Sequence, residues 1–421
     1  MYNKLKKIFS HLGPGFITGA SDDDPSGIAT YSQTGAQFGY SQLWTALFSF
    51  PFQSVIQEMC GRIGMVTGKG ISGVIRKHYS KPILYFAVSL LFVTNTINIG
   101  ADLGAMASSA QLLINLPFVL WLIPMAIFTL FLEVFISYKV YAKFLKYLTF
   151  SLFAYVIVAF ALKLDWLQVL SSTVVPTISL NKAYLFNIIA ILGTTISPYL
   201  FFWQTGEEVE EEVESHKLKT MGEGTPKIDR RDIRKMRADT VVGMFFSNLI
   251  MFFIITTAAA TLFANNIHNV DTAQEAALAL QPIAGNFTFI LFAAGIIGTG
   301  LLAVPVLAGS ASYAISEALG WREGLYRKFT KAHGFYAVIA AATLVGILVN
   351  FSGVPPFKML YYTAVLNGLI APPLMILILL ISSNPEIMGT YTNSKFSNYM
   401  GITITAIMSI ASLLLLGSVF F

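Results

Sequence analysis

Three consecutive carboxylates, Asp22, Asp23 and Asp24, stand directly before Pro25 and Gly27 in the stretch GASDDDPSGIAT, Gly19 to Thr30, with apolar helix-like sequence on both sides. Carboxylates are the side chains that hold hard cations or pass protons within a membrane. Three adjacent ones repel unless water, a cation or protonation relieves them. On an intact helix successive residues point about 100° apart, so only one or two could aim at one spot. Pro25 removes a donor and blocks the helical turn, and Gly27 tolerates unusual dihedrals. The sequence therefore predicts an unwound segment here. A second break is expected at GTTISPY, which contains Gly193, Ser197 and Pro198. In TNTINIGADLGA, Asn95, Asn98 and Asp102 fall at i, i+3 and i+7, one helical face that is expected to line the same cavity. Asn248 is a lone polar residue, suited equally to packing two helices or to binding a ligand. Asn367, beside Gly368 and before Pro372 and Pro373, marks another weakened helix and another candidate for the cavity wall. Glu58 and Arg62, at i and i+4, read as a structural or gating ion pair.

These residues need helices to carry them across a bilayer. The chain has 421 residues, 55% hydrophobic and only 12% charged, whereas soluble domains carry about 25% charged residues. It reads as an integral membrane protein without a cleavable signal peptide. Cys60, the single cysteine, rules out a disulfide within the chain and is expected to be a buried thiol. A spanning helix needs about 20 apolar residues. Eleven candidate spans lie at about 12–39, 43–66, 83–112, 117–137, 143–162, 184–205, 239–264, 286–316, 334–351, 358–382 and 398–420, the first, third and eighth carrying polar or glycine interruptions.

With the N-terminus cytoplasmic, all of the 27 Lys and Arg except Lys163, Lys182 and Lys358 fall on the inner side. The C-terminus is then outside. The longest polar stretch, Glu207 to Asp239, becomes a cytoplasmic connector. Its GEEVEEEVES run and the basic residues after it read as a solvated helical extension, although it could also bind or sense metal.

Five spans separate the two breaks. That spacing is the mark of an inverted repeat whose first helices break at the midplane and face each other across the substrate site. The expected organisation is a single transmembrane domain over 1–421, with repeats at about 12–162 and 184–382, a connector at 206–238 and an extra helix at 398–420.

GPGFITGASDDDPSGIATYSQTGAQFGY, IGMVTGKG, ADLGA, TTISPY and ISEALGW occur in this order along nearly the whole chain. Together they resemble the Nramp family of divalent-metal transporters. The resemblance implies an all-α LeuT-type fold with a 5+5 inverted repeat, an eleventh helix and broken helices 1 and 6. It also implies metal binding between spans one and six, with Asp24 as ligand and the carbonyls of Ser21 and Thr194 contributing.

The chain departs from the family pattern at several positions. Asp-Pro-Gly-Asn is here Asp24-Pro25-Ser26-Gly27, and the ligand asparagine is lost. Met-Pro-His is Ser197-Pro198-Tyr199, so a thioether has become a hydroxyl and a histidine a tyrosine. Asp-Leu-Ala-Glu is Asp102-Leu103-Gly104-Ala105, and span nine lacks the family's arginine pair. Most of the family's proton route is thereby missing, as in the Nramp-related magnesium transporter branch. Oxygen ligands suit hard cations, and loss of the thioether removes a preference for soft ones.

The expectation is therefore a secondary transporter that imports partly hydrated Mg²⁺, and Mn²⁺ second, without proton coupling. Asp24, Asp23, Asp22, Ser197, Ser21 and Thr194 would serve the ion, and Asp102, Asn98, Asn95, Tyr199, Asn248 and Asn367 would line the cavity. The cation is substrate and no cofactor is implied. The partners are the ion and the plasma-membrane bilayer; nucleic acid and an obligatory protein partner are not. Three alternatives remain: a proton-coupled Mn²⁺/Fe²⁺ importer, a transporter of another substrate on the same fold, and a metal sensor signalling through the charged connector. An enzyme is not indicated, since no nucleotide loop, zinc-ligand spacing or nucleophile–base pair is present.

Overall fold

The computed structural model describes residues 13–136, 152–179 and 181–420, and among them it is almost entirely helical. The first span is two helices, α1 (Pro14–Asp22) and α2 (Pro25–Phe38). It is followed by α3 (Trp44–Thr67), α4 (Ile71–His78), α5 (Lys81–Leu113), α6 (Phe118–Phe135), α7 (Phe153–Ala161) and α8 (Trp166–Val174). The sixth span is again two helices, α9 (Lys182–Thr195) and α10 (Pro198–Glu214). Then come α11 (Arg230–Thr261), α12 (Ala273–Ala277), α13 (Gln281–Ala284), α14 (Thr288–Leu319), α15 (His333–Val349), α16 (Pro356–Ser383), α17 (Pro385–Met388) and α18 (Lys395–Phe420). Of the fifth expected span, 143–151 lies outside the described residues, as do Lys4, Lys6, Lys7, Lys139, Lys143 and Lys146.

One local rule makes both breaks. A proline biases the residue before it away from the α region, a bias that packing overrules at Pro51, Pro124, Pro305, Pro372 and Pro373. Asp24 and Ser197 each precede a proline and are extended, with ψ of 173° and 131°. Pro25 and Pro198 then open α2 and α10 at the first helical position, where their missing N–H costs nothing. The other expected interruptions do not form. α5 and α14 run unbroken through their glycines and polar residues, and α16 runs unbroken through Pro372 and Pro373. On the polar face of α5 only the Asn95 amide finds a partner, on α14, while Asn98 and Asp102 are buried without one, and the helix stays continuous.

The packing is reciprocal. α2 lies on α11, and α10, five spans later, lies on α3. Under a five-span shift these two pairings exchange. α5 crosses α14 in the most extensive contact between any two elements. Glycines bring the backbones together, as expected where helices cannot gain from excluding water. A Cβ on Gly19 would lie 2.3 Å from the Gly243 carbonyl carbon, and one on Gly100 would lie 2.2 Å from the Gly346 oxygen. The outer surface is apolar, with Phe131, Phe135, Phe160, Leu348 and Leu413 exposed, while most buried polar groups turn inward. Cys60 is a buried free thiol.

Gly193 sets the close crossing of α9 on α16: a Cβ there would sit 2.0 Å from the Ala364 oxygen and 2.3 Å from the Gly368 nitrogen. Backbone cannot swing aside as a side chain can, so Gly193→Ala should cost about 1–3 kcal/mol. The thermal midpoint of the purified protein reads this. Gly417→Ala, where nothing lies within 4 Å, should leave the midpoint unchanged.

Candidate functional site

Asp24 sits between the half-helices as the N-cap of α2. Its Oδ1 accepts from the Gly27 amide at 2.7 Å and from the Ser26 hydroxyl at 2.6 Å. The side chain thus satisfies a donor that every helix start leaves open, and the N-terminal dipole of α2 favours its charge. Oδ2 faces the second break, where the Tyr199 hydroxyl lies 3.4 Å away. The same hydroxyl donates to the Ser21 carbonyl at 3.0 Å, so Tyr199 bridges α10 to the end of α1. Ser197 donates its hydroxyl to the carbonyls of Gly193 at 2.8 Å and Thr194 at 2.7 Å. The Thr194 hydroxyl in turn lies 3.3 Å from that of Ser26. The structure therefore brings Ser21, Asp24, Thr194, Ser197 and Tyr199 into one hydrogen-bonded group across the two breaks.

Each carbonyl oxygen has two lone pairs. The oxygens of Ser21 and Thr194 accept one hydroxyl each and keep capacity for a further partner. The C-terminal ends of α1 and α9 carry partial negative charge to the same place. The two half-helix ends with Asp24 make an oxygen-rich, electronegative cluster. Between residues 21 and 27 and between 193 and 199 there is no Met, Cys or His. Among the described residues, no three His, Cys, Asp or Glu side chains converge closely enough to cage an ion directly.

Asp22 and Asp23 differ from Asp24. Asp22 ends α1, and its Oδ2 accepts from Gln53 at 2.7 Å and from the Ser247 hydroxyl. Its Oδ1 and the Oδ1 of Asp23 have no partner in the protein. All three carboxylates are buried, at 0%, 5% and 1% exposure. A buried acceptor without a donor costs about 1–3 kcal/mol, so these oxygens call for water or a cation.

The remaining residues sort by their partners. Asp102 and Asn98 on α5 and Asn367 on α16 are fully buried, and neither polar atom of any of the three has a hydrogen-bond partner. Asp102 interacts electrostatically with Asp24. Asn95 differs, because its amide donates to the Leu307 carbonyl at 2.9 Å and to the Ser310 hydroxyl at 3.2 Å, packing α5 on α14. Asn248 likewise spends its amide on Gln53 and on the Met244 carbonyl, and its oxygen on Ser49. It stands behind Gln53, one step from Asp22, and is a helix-packing residue.

Gln53, Ser247, Ser26 and Tyr31 escaped the sequence reading. A signal existed for the first: Ser49, Gln53 and Gln57 repeat at i, i+4 and i+8, a polar stripe on α3. Tyr31 is wholly buried and lies in the field of all three aspartates. It also bears on the missing asparagine. A Cβ on Gly27 would lie 3.2 Å from the Asp22 oxygen and 3.3 Å from the Tyr31 ring.

Toward one end of the bundle, Glu58 accepts from Arg62 at 3.0 Å and from Arg237 of α11 at 2.9 Å. Arg62 also donates to the Tyr391 carbonyl and to Asn393, both at 2.5 Å. The expected pair is thus a clamp of α3, α11 and the segment before α18. In the 207–239 stretch the basic part is solvated as expected, with Lys219, Arg230, Arg234 and Lys235 exposed, but most of the acidic run is not. Glu207, Glu208, Glu210 and Glu212 are buried. Glu210 is held by the Tyr313 hydroxyl and the amides of Leu325 and Tyr326. The helical extension forms, but it turns its acids inward.

The natural resistance-associated macrophage protein-like (Nramp) family model matches residues 15–418. The divalent metal cation transporter MntH of Caldanaerobacter subterraneus subsp. tengcongensis is 24% identical, covering 98% of this chain and 94% of that protein. The MntH of Deinococcus radiodurans is 23% identical, over 96% and 88%. Among solved structures, the Eremococcus coleocola manganese transporter in complex with an aromatic bis-isothiourea compound superposes with a TM-score of 0.77 at 15% identity, covering 98% of this chain and 87% of that one. Mhp1, a nucleobase-cation-symport-1 transporter, superposes at 0.57 with 12% identity, over 96% and 90%.

Because Tyr31 and the Asp22 carbonyl crowd Gly27, Gly27→Asn should lower the thermal midpoint rather than restore a ligand. The overpacking cost is about 1–3 kcal/mol. Adding Tyr31→Ala should recover part of that loss, and a midpoint equal to wild type in the single variant would contradict the crowding.

Proposed function

The chain belongs to the Nramp family, and from that premise we propose that it carries divalent metal cations across the plasma membrane, Mg²⁺ first and Mn²⁺ second, as partly hydrated ions and without proton coupling. The observation that carries this reading is the all-oxygen composition of the two breaks. Asp24, Ser197 and the carbonyls of Ser21 and Thr194 offer oxygen only, while Asp22 and Asp23 each hold an unpartnered oxygen nearby. Hard cations favour such a set, and Mg²⁺ gives up its waters reluctantly. Since among the described residues no three carboxylates converge to grip a bare ion, retained waters fill the remaining distance. Asp24 binds directly; Asp22 and Asp23 accept hydrogen bonds from the ion's waters.

Proton coupling needs groups that take up and release a proton along a path. Tyr199, Ala105 and an arginine-free span nine stand where the family pattern has titratable or charged groups. Asp102 is the acid left beside Asp24. The driving force in this reading is the ion's own gradient with the membrane potential, about 2.3 kcal/mol per charge per 100 mV. The distribution of Lys and Arg supports a cytoplasmic N-terminus, an outer C-terminus and a cytoplasmic 206–238 connector. The separation of the two breaks by five spans supports one transport domain with repeats at about 12–162 and 184–382 and an extra helix at 398–420.

Flux of Mg²⁺ and Mn²⁺ into liposomes with an internal pH probe tests the proposal. Wild type should move both ions with no accompanying pH change. Asp24→Ala should slow flux at least about tenfold, the equivalent of one charge-assisted contact of about 1.4 kcal/mol. Ser197→Met should shift selectivity toward Mn²⁺ and softer ions. Metal-driven acidification would replace this reading with a proton-coupled importer, and unchanged flux in Asp24→Ala would sink the site.

A further inference from the structure

Beneath the first turn of α1 lies a cavity of about 120 Å³. Five carboxylates line it, Glu208, Glu211 and Glu212 from α10 and Asp232 and Asp239 from α11, against two ammonium groups, Lys217 and Lys235. Lys217 is engaged with Asp232 at 2.6 Å and reaches Glu212 only at 4.0 Å. Asp239 accepts from the amides of Gly13 at 2.9 Å and Phe16 at 3.1 Å, capping α1. Glu208 and Glu212 are 3% and 2% exposed, yet Glu208 Oε1 and Glu212 Oε2 have no partner in the protein. Both residues line a cavity whose acids outnumber its bases.

The location is informative. Glu208 is ten residues along α10 from Pro198, which is about 15 Å on a helix. Half the hydrocarbon core is also about 15 Å. The cavity therefore sits at the membrane's edge on the side of the 206–238 connector, and Lys235 and Ser215 on its wall are exposed. A water needs about 10–15 Å³ of such volume, so there is room for about eight to twelve. Among the described residues no three acids converge to ligate a bare ion. An ion here keeps its water shell, as Mg²⁺ does readily.

We propose that this cavity is a second site for a hydrated divalent cation, reached from the cytoplasm, which ties Glu208 and Glu212 of α10 to Asp232 and Asp239 of α11 beneath α1. It rests on the reading of the chain as a divalent-cation transporter with a cytoplasmic connector. The ion relieves the mutual repulsion of the acids and braces the three helices on which movement of α1 depends. Occupancy then follows the cation concentration on the inner side and holds α1 in place as that concentration rises.

The test uses full-length protein in lipid nanodiscs, with bound Mn²⁺ counted by electron paramagnetic resonance and Mg²⁺ as competitor. Glu208→Gln/Glu212→Gln should lose one class of Mn²⁺ site, while Asp24→Ala keeps that class. Glu208→Gln alone should weaken it at least about tenfold, a difference of about 1.4 kcal/mol. In EDTA the double variant should melt higher than wild type, because like charges have been removed, and its midpoint should no longer rise with added Mg²⁺. A merely structural pair of glutamates would give the opposite, a lower midpoint in EDTA with the Mn²⁺ count unchanged, and would overturn the proposal. Loss of all Mn²⁺ in Asp24→Ala would also overturn it while leaving the central site standing. Unchanged Mn²⁺ binding and flux in Asp24→Ala, with one class lost in the double glutamine variant, would remove the central site and keep this one.

Discussion

A proline biases the residue before it away from the helical region, and at Asp24 and Ser197 that bias is realised and sets the architecture of this protein. Asp24 and Ser197 are extended because Pro25 and Pro198 follow them. From that constraint come the two breaks, the exposed carbonyl ends of α1 and α9 and the N-terminal ends of α2 and α10. Unwound backbone at membrane depth survives only where protein or water covers it. Here Tyr199, Ser197, Ser26 and Thr194 do the covering, tying each break to the other or to its own helix end. The hydroxyls that stand where the family pattern has sulfur and imidazole therefore have a structural task beside any contact with an ion.

The legible part of the fold was the part written locally. The spans, both Pro-Gly breaks and the single-face spacing on α5 follow from hydropathy, dihedral limits and helical period, and none needs a partner to be seen. Interruption was over-read at α5, α14 and α16, where neighbours hold the glycines and prolines within a continuous helix. Gln53 and Ser247 were missed because their importance arises only when α3 and α11 meet Asp22. Asn95 was read toward the cavity because period names a face but not what that face meets, and Asn248 was left between packing and binding. The amide of each is spent on a neighbouring helix.

The acidic run of α10 shows the same limit in the other direction. By composition GEEVEEEVES is a solvated surface, and four of its glutamates are nevertheless buried. Glu210 is buried at low cost because Tyr313 and two backbone amides meet its oxygens. Glu317 is treated alike by the amides of Gly70 and Gly73. In both cases a carboxylate is exchanged from water to fixed donors, which is the condition for burying one. Beyond α14, Glu323 has an Oε2 without a partner, and burial with neighbouring Glu317 and Glu210 pushes its carboxyl well above the usual range. Acid runs near the membrane edge cannot be assigned to solvent from sequence, since the donors that bury them come from distant loops.

Magnitudes also rank the attachments on the side of the connector. The Glu58–Arg62 pair is buried but lies within α3, where breaking a pair of this kind costs about 3–5 kcal/mol, whereas Arg237 is 53% exposed and ties α11 to Glu58 for about 0–1 kcal/mol. α1 is attached there by the Asp239 carboxylate on its first amides, a cap worth about 0.5–2 kcal/mol. The glycine contacts of α1 with α11 add dispersion but no covalent or ionic tie. α1 is thus held by a cap and by close backbone packing on α11 rather than by an ion pair. The same half-helix carries Asp22 and the Ser21 carbonyl at its other end. A shift of α1 consequently changes the central oxygens and the acid-lined cavity together, and this is the physical basis on which an ion at either place can be felt at the other.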